Sequence, residues 1–210
     1  MRSFVQGDEE IYESLMKMYQ QEGAVAESWG MDGTTFEYIL KAIFSMALAD
    51  FTDSAIPRRK IFTADTHEVI RLGEKPIREI NFLVLGTEGL LLGILAEGKS
   101  PAALVLAAAG ISYEAVHPIV IKLLGTHPAP PDALISPQLP FAPRVHIVLE
   151  LALKEAEQLG QSRRIAPEHL LLGILEEYKG APPGGVATYI LKQELGVDLD
   201  KLERQLRAAV

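Results

Sequence analysis

A ten-residue segment of this chain recurs with seven of its residues unchanged. Gly86-Thr87-Glu88-Gly89-Leu90-Leu91-Leu92-Gly93-Ile94-Leu95 returns 80 positions later as Ala166-Pro167-Glu168-His169-Leu170-Leu171-Leu172-Gly173-Ile174-Leu175, with the hexapeptide LLLGIL unchanged. An apolar hexapeptide present twice has to be buried twice, so the chain needs two equivalent interior positions and a fold that provides both. The copies extend in both directions. Phe62-Thr63 corresponds to Phe141-Ala142 at an offset of 79, and Ala109-Gly110-Ile111 to Leu195-Gly196-Val197 at 86. Small insertions account for the drift, the larger being the loop Gly180 to Gly185 in the second copy only. Repeat one therefore covers 62–125 and repeat two 141–210, joined by the proline-bearing stretch Thr126 to Pro140. Two copies are too few for a solenoid. A duplicated unit of about 75 to 80 residues is expected to pack against itself around a pseudo-twofold axis.

Within each copy the spacing of apolar residues is helical throughout, and the fold class is all-α. Val145, Val148, Leu149, Ala152, Leu153 and Ala156 form one stripe up to Gly160. The equivalent helix of repeat one is expected to be interrupted at Gly73 and Pro76, which makes repeat one the irregular copy. The central helices should begin at Thr87, with its hydroxyl as N-cap, and near Pro167, a residue tolerated in a first turn. Ahead of the repeats, residues 1–55 read as a helical N-terminal extension. Asp8 can cap a run with Ile11, Leu15 and Met18, and Thr34-Thr35-Phe36-Glu37 is a capping box before Phe36, Ile39, Leu40, Ile43, Phe44 and Ala47. The turn residues, proline and cations from Thr52 to Lys60 mark a boundary. The stripe around Phe36 has to be covered, either by the rest of the chain, which is the ordinary fate of an amphipathic helix, or by a partner.

Composition narrows the chemistry. With 48% hydrophobic residues but only 7% aromatic, the core is built from Leu, Ile, Val and Ala, as in closely packed helices. The chain has no cysteine, which removes disulfides, thiol nucleophiles, iron–sulfur clusters and thiolate zinc sites. A formal charge of −8 argues against a nucleic-acid or anionic-membrane partner, both of which require a basic face. The longest apolar run, Ala102 to Ile111, is half of what a bilayer requires. The start MRSFVQGDEE turns acidic by residue 8 and has neither the apolar core of a signal peptide nor transit character, so a cytoplasmic location is the expectation.

Gly93-Ile94-Leu95-Ala96-Glu97-Gly98-Lys99-Ser100 satisfies the P-loop pattern G-x-x-x-x-G-K-S/T. That loop works only between a buried strand and a helix, whereas here the residues before it belong to a helix. Gly98 as helix C′ residue, Ser100 as the next N-cap and Pro101 as N1 account for the same letters. The second copy keeps LLLGIL without the P-loop. The five histidines have no metal-ligand spacing, no Gly-x-Ser-x-Gly elbow occurs, and no catalytic, metal or cofactor residue is assigned. Glu88 and Glu168 stand out as acidic residues recurring at the same place beside a shared sequence. In a helix's first turn a carboxylate stabilises the free N–H groups and the dipole. It can equally serve as a recognition point, since a carboxylate pairs with a guanidinium beside an anion-attracting helix start.

These residues also carry a resemblance. Residues 62–210 resemble the Clp amino-terminal repeat domain, found at the front of the ClpC, ClpA and ClpB unfoldases. Its pattern of a Phe-Thr start, a long helix, a Gly-Thr-Glu-x-Leu-Leu-Leu-Gly helix and then Gly-Val/Ile-Asp/Ser is met by Phe62-Thr63, Gly86-Thr87-Glu88 through Gly93, and Gly110-Ile111-Ser112. It is met again at Phe141, Glu168 through Gly173, and Gly196-Val197-Asp198. The resemblance implies an all-α double repeat of about eight helices without catalysis of its own, binding substrate polypeptides or adaptors. In ClpC-like members the paired glutamates lie in pockets for arginine-phosphorylated substrates. Carried over, that role falls on Glu88 with Thr87, and on Glu168, where Ala166-Pro167 lacks the hydroxyl and one amide donor.

For a chain that stops at Val210 without ATPase modules, the expected relatives are stand-alone accessory proteins of the ClpT type. The expected function is a non-enzymatic accessory or adaptor of a Clp-type protease, with the protease core or the AAA+ chaperone subunits as partners. In a photosynthetic eukaryote its place would be the plastid stroma. The rival readings are a substrate receptor or docking domain of a truncated unfoldase and, in a different class, a small P-loop NTPase.

Overall fold

The computed structural model describes residues 61–127, 137–160, 164–180 and 184–210. The helical extension 1–55, its capping box, the boundary at 52–60 and residues 181–183 of the Gly180 to Gly185 loop lie outside the described residues. The described chain is all-α. Repeat one consists of α1 (Ala64–Glu79), α2 (Thr87–Glu97), α3 (Pro101–Ala108) and α4 (Tyr113–Leu124). Repeat two gives α5 (Pro143–Gln158), α6 (Pro167–Gly180), α7 (Val186–Tyr189, continued by a π-helical turn Ile190–Glu194) and α8 (Leu199–Ala209).

The helix boundaries follow local chemistry. Thr63 caps α1 by accepting from the Thr66 N–H. Ser112 caps α4 through the Ala115 N–H, and Asp198 caps α8, its counterpart, through the Lys201 N–H. Gly98 closes α2 in the left-handed region, Ser100 caps α3 through the Ala103 N–H and Pro101 opens it, as expected from the sequence.

Three local expectations are corrected. Thr87 is the first residue of α2 rather than its cap; the N-cap is Gly86, which has no side chain to offer. Helix α1 is not interrupted, and it runs for 16 residues, the same length as α5. Proline costs a helix one hydrogen bond, yet Pro76 is buried beside Ile77, and tertiary packing outweighs local propensity. Gly73 is not a breaker but a contact point, because a Cβ there would stand 2.1 Å from the Gly89 carbonyl oxygen of α2.

The third correction concerns which copy is irregular. Leu106 and Leu191 are 85 positions apart, whereas Gly110 and Gly196 are 86 apart, so repeat two carries one extra residue between them. The π turn at Ile190–Glu194 absorbs it. Both helices then close in the same manner, on a glycine of positive φ, Gly110 (79°) or Gly196 (65°). The Ile111 N–H bonds to the Leu106 carbonyl at 3.0 Å, and the Val197 N–H to the Leu191 carbonyl at 2.8 Å.

The repeats are interlocked. The segment leading into α1 pairs with the segment leading into α6: Thr63 N–H donates to the Ile165 carbonyl (3.0 Å) and Ile165 N–H to the Ile61 carbonyl (2.6 Å). The segment leading into α5 pairs in the same way with the one leading into α2, through Leu85 N–H to the Pro140 carbonyl (2.8 Å) and Ala142 N–H to the Leu85 carbonyl (2.9 Å). Phe62 and Phe141 sit inside at these crossings, each edge-on to a histidine five residues on, His67 or His146.

Inside this frame α2 and α6 run through the centre. Leu90, Leu91, Leu92 and Ile94, with Leu170, Leu171, Leu172 and Ile174, are all buried, in one core shared by both repeats. A helix buried on every side has no polar face, which is why the repeated hexapeptide is uniformly apolar. Its glycine has a separate cause. A Cβ on Gly93 would lie 2.0 Å from the Val69 carbonyl oxygen of α1, and one on Gly173 would lie 2.5 Å from the Val148 carbonyl oxygen of α5. Val69 and Val148 are equivalent residues, so each repeat packs its first helix against its second at the same backbone contact.

Substituting either glycine by alanine should therefore push two helices apart. Gly93→Ala is expected to cost about 2 to 3 kcal/mol, and Gly173→Ala somewhat less, by denaturant unfolding of the full chain. Gly180→Ala, where an added Cβ meets nothing within 4 Å, should leave the midpoint unchanged or slightly raised.

Candidate functional site

The residues singled out by the duplication gather at two equivalent helix starts. Position N1 is Thr87 in α2 and Pro167 in α6, N2 is Glu88 or Glu168, and N3 is Gly89 or His169. All six are buried.

Thr87 works across the repeats. Its hydroxyl accepts from the Ala187 N–H (3.1 Å) and so supplies the first turn of α7, in repeat two, with the cap that its own N-cap residue, Gly185, cannot give. A Cβ on Gly185 would come within 2.5 Å of that hydroxyl oxygen, so glycine there leaves room for the threonine. In the reverse direction Pro167 offers no hydroxyl, and α3 is capped by its own Ser100. Each helix start is satisfied once, from a different source.

Glu88, at 2% exposure, folds its carboxylate back over the start of its own helix, facing the N–H groups of Gly86 and Glu88. Burial outweighs these donors and pushes its pKa up to about 7. Glu168 occupies the equivalent place at 8% exposure. Beside it His169 Nδ1 accepts from the Ala166 N–H at 3.0 Å, the N3-to-N-cap half of a capping box, with imidazole in place of the usual carboxylate. Burial lowers the histidine's pKa against the opposing pull of Glu168, the Arg164 backbone and Glu155. The remaining ring nitrogen, Nε2, is buried without a hydrogen-bond partner among the described residues.

A second recurring carboxylate pair escaped the sequence reading, although its offset is also 80. Glu97 accepts from the Lys99 N–H (3.1 Å) and the Ser100 N–H (2.8 Å) at the corner between α2 and α3. Its counterpart Glu177 accepts from the Gly185 N–H (2.9 Å) before α7 and is paired with Arg144 of α5. The identical offset was the available signal. The pair also resolves the P-loop pattern: its residues continue a helix, and Glu97 occupies the amides of Lys99 and Ser100 that a phosphate would need.

Among the described residues no group of three or more His, Asp or Glu is placed to hold a metal ion, and no single helix is long and apolar enough to cross a membrane. Among the described residues four large apolar side chains face solvent: Leu104 on α3 and its counterpart Tyr189 on α7, 57% and 41% exposed, with Ile147 on α5 and Leu123 on α4.

A family model described as the Clp repeat (R) N-terminal domain matches residues 61–193. The chloroplastic chaperone protein ClpC1 of Arabidopsis thaliana is 37% identical over 156 residues, 74% of this chain and 15% of the relative. A ClpA homolog, the ATP-binding subunit of an ATP-dependent Clp protease in Guillardia theta, is 37% identical over 145 residues, 69% of this chain and 16% of the relative. Among solved structures, the N-terminal domain of the chaperone ClpD from Arabidopsis thaliana superposes with a TM-score of 0.54 at 20% identity, covering 70% of this chain and 95% of that one. The Hsp104 N-terminal domain from Candida albicans gives 0.53 at 19% identity, covering 72% and 94%. The chain thus spans about 15% of the length of the curated relatives it matches.

Two outcomes are expected from the helix starts. Thr87→Val keeps the volume but leaves the Ala187 N–H without its acceptor, and should destabilise the full chain by about 1 to 2 kcal/mol in thermal unfolding. Glu88 is an acid whose folded pKa lies above its ordinary value, so the folded state binds its proton more tightly than the unfolded one. Its contribution is therefore complete below about pH 4.5 and is lost as the pH rises through about 7. Glu88→Gln should stabilise the chain relative to wild type at pH 8, with the difference closing towards pH 5.

Proposed function

The chain belongs to the Clp repeat (R) N-terminal domain family, and from that footing we propose that it is a non-catalytic accessory or adaptor of a Clp-type ATP-dependent protease. Domains of this family are protein-binding modules without catalysis of their own. The proposal adds the partner, namely the protease core or its AAA+ chaperone subunits. The observation that carries it is the division between inside and outside. The polar groups that sequence motifs single out as chemistry are spent on capping helices, while large apolar side chains on α3 and α7 face solvent. Such a domain acts by the surfaces it offers to other proteins.

The relatives' names supply the partner class, an ATP-binding subunit of Clp protease and a chloroplastic chaperone. The compartment proposed is accordingly that of the Clp machinery, the plastid stroma in a photosynthetic eukaryote and the cytoplasm otherwise. The two helix starts that hold the buried Thr87, Glu88 and Glu168 are proposed as a contact region that a partner reaches from outside.

The test is direct binding. The purified full chain, mixed with Clp core and chaperone subunits in sedimentation velocity experiments, should form a stoichiometric complex without nucleotide turnover of its own. Nucleotide-dependent thermal stabilisation abolished by Lys99→Ala would instead establish an NTPase. Phosphoarginine binding lost in Glu88→Gln, with no Clp complex, would establish a substrate receptor.

A further inference from the structure

The two central helices are closed at their starts by different chemistry. The amide just ahead of α2 is that of Gly86, and the one just ahead of α6 is that of Ala166, 80 positions on. The Gly86 N–H faces the Glu88 carboxylate, whereas the Ala166 N–H donates to His169 Nδ1. In repeat one the place of His169 is taken by Gly89, which has no side chain. A carboxyl group that gains a proton keeps an oxygen that can still accept from an amide. An imidazole does not. Because Nδ1 accepts, the neutral ring carries its proton on Nε2, and a second proton has only Nδ1 to occupy. Two donors then confront each other across the 3.0 Å of the former hydrogen bond.

The surroundings give the charged ring no relief. His169 is fully buried, and its Nε2 is already a donor without an acceptor among the described residues. Its charged neighbours are Glu168 on α6 and Glu155 on α5, and both oxygens of Glu155 are taken by Arg207 of α8. The Arg164 guanidinium is bonded to the Phe62 carbonyl. Of the other elements packed on α6, α3 has no ionisable side chain, Glu88 of α2 is folded over its own helix start, and His67 of α1 lies against Phe62. Lys192 and Glu194 of the α7 unit are exposed. Burial outweighs the pull of the carboxylates and holds the imidazole below its ordinary value of 6.5, so the folded chain favours the neutral ring. The histidine's contribution is complete above about pH 6.5 and is lost as the pH falls below it.

What the Ala166 amide steadies is its neighbour. Ile165 carries one whole crossing between the repeats: its N–H donates to the Ile61 carbonyl, and its own carbonyl accepts from the Thr63 N–H and, at 2.7 Å, from the Thr66 hydroxyl. Leu85 carries the other crossing, next to Gly86 and its carboxylate. Each crossing also has a phenylalanine with an edge-on histidine, His67 or His146, so those rings do not distinguish the two. The imidazole at the helix start does.

We propose that His169 is a proton-operated latch on the Ile165 crossing: protonation of its ring releases the Ala166 amide and unpairs the start of α1 from the start of α6, while the crossing at Leu85 stays closed. The domain then opens on one side only as the medium becomes acidic. This inference is independent of the accessory role, because it concerns the isolated chain.

The test is amide hydrogen exchange of the full, isotope-labelled chain at about pH 7.5 and about pH 5, with each rate divided by the intrinsic rate at that pH. Protection at Thr63, Ile165 and Ala166 should fall by about tenfold or more at the lower pH, with Leu85 and Ala142 unchanged or better protected. The ring nitrogen spectrum at the higher pH should show His169 protonated at Nε2 alone. His169→Gln places an ordinary capping-box residue at N3, whose amide oxygen accepts at either pH, and should keep both crossings closed throughout. If glutamine does not fit the buried site, the wild-type comparison of the two crossings and the ring spectrum decide by themselves. Equal loss at the two crossings, no loss at either, the same loss in a folded His169→Gln chain, or a ring protonated at Nδ1 at the higher pH would each overturn the proposal.

Discussion

The fold depends on a crossed pairing of backbone. Each repeat begins with a short extended segment, and neither uses it at home: Ile61 and Thr63 bond to Ile165 of the other repeat, Pro140 and Ala142 to Leu85. These four hydrogen bonds set the start of α1 against that of α6 and the start of α5 against that of α2. The central helices are thereby held side by side, with the LLLGIL sequences of both in one core. Phe62 and Phe141 lock the crossings from within. A single repeat would leave these amides and carbonyls unpaired and one flank of its central helix in water. The duplication is for this reason a structural requirement and not two domains in tandem.

Near-symmetry has left room for divergence where the backbone is satisfied by more than one route. The first turn of α3 takes its cap from its own serine, and that of α7 from a threonine in the opposite repeat, with Gly185 making space. Buried Pro76 in α1 corresponds to Glu155 in α5, which is paired in both branches with Arg207 of α8. The position equivalent to Arg207 in repeat one is Ile121, so the ion pair of one copy has no charged counterpart in the other. The backbone contacts at Gly93 and Gly173 are the part that did not diverge, because no side chain fits there.

The all-α class, the two repeats and the central helices were legible because they rest on periodicity and on identity between copies. The corner Gly98-Lys99-Ser100-Pro101 was legible too, since capping is chemistry between neighbours in sequence. What the sequence hid is long-range. Gly73 reads as a helix breaker until α2 is seen lying on it, and Thr87 reads as a cap for its own helix until Ala187, 100 residues away, is found at its hydroxyl. The π turn was present only as a change of offset from 85 to 86, which gives the insertion but not its conformation. Glu97 and Glu177 were missed although they repeat at the same interval as Glu88 and Glu168, because an acidic residue at a helix end draws less notice than one at its start.

The crossed pairing also sets an order of events during synthesis. Thr63 waits for Ile165, about 100 residues later in the chain, and at typical elongation rates of 5 to 20 residues per second that interval is roughly 5 to 20 seconds. For that time Leu90, Leu91 and Leu92 have no opposite wall, and the first repeat leaves the ribosome as an unfinished half with its apolar flank in water. A domain whose relatives carry the name of chaperones thus shows, while nascent, the kind of apolar flank that exposes a chain to aggregation.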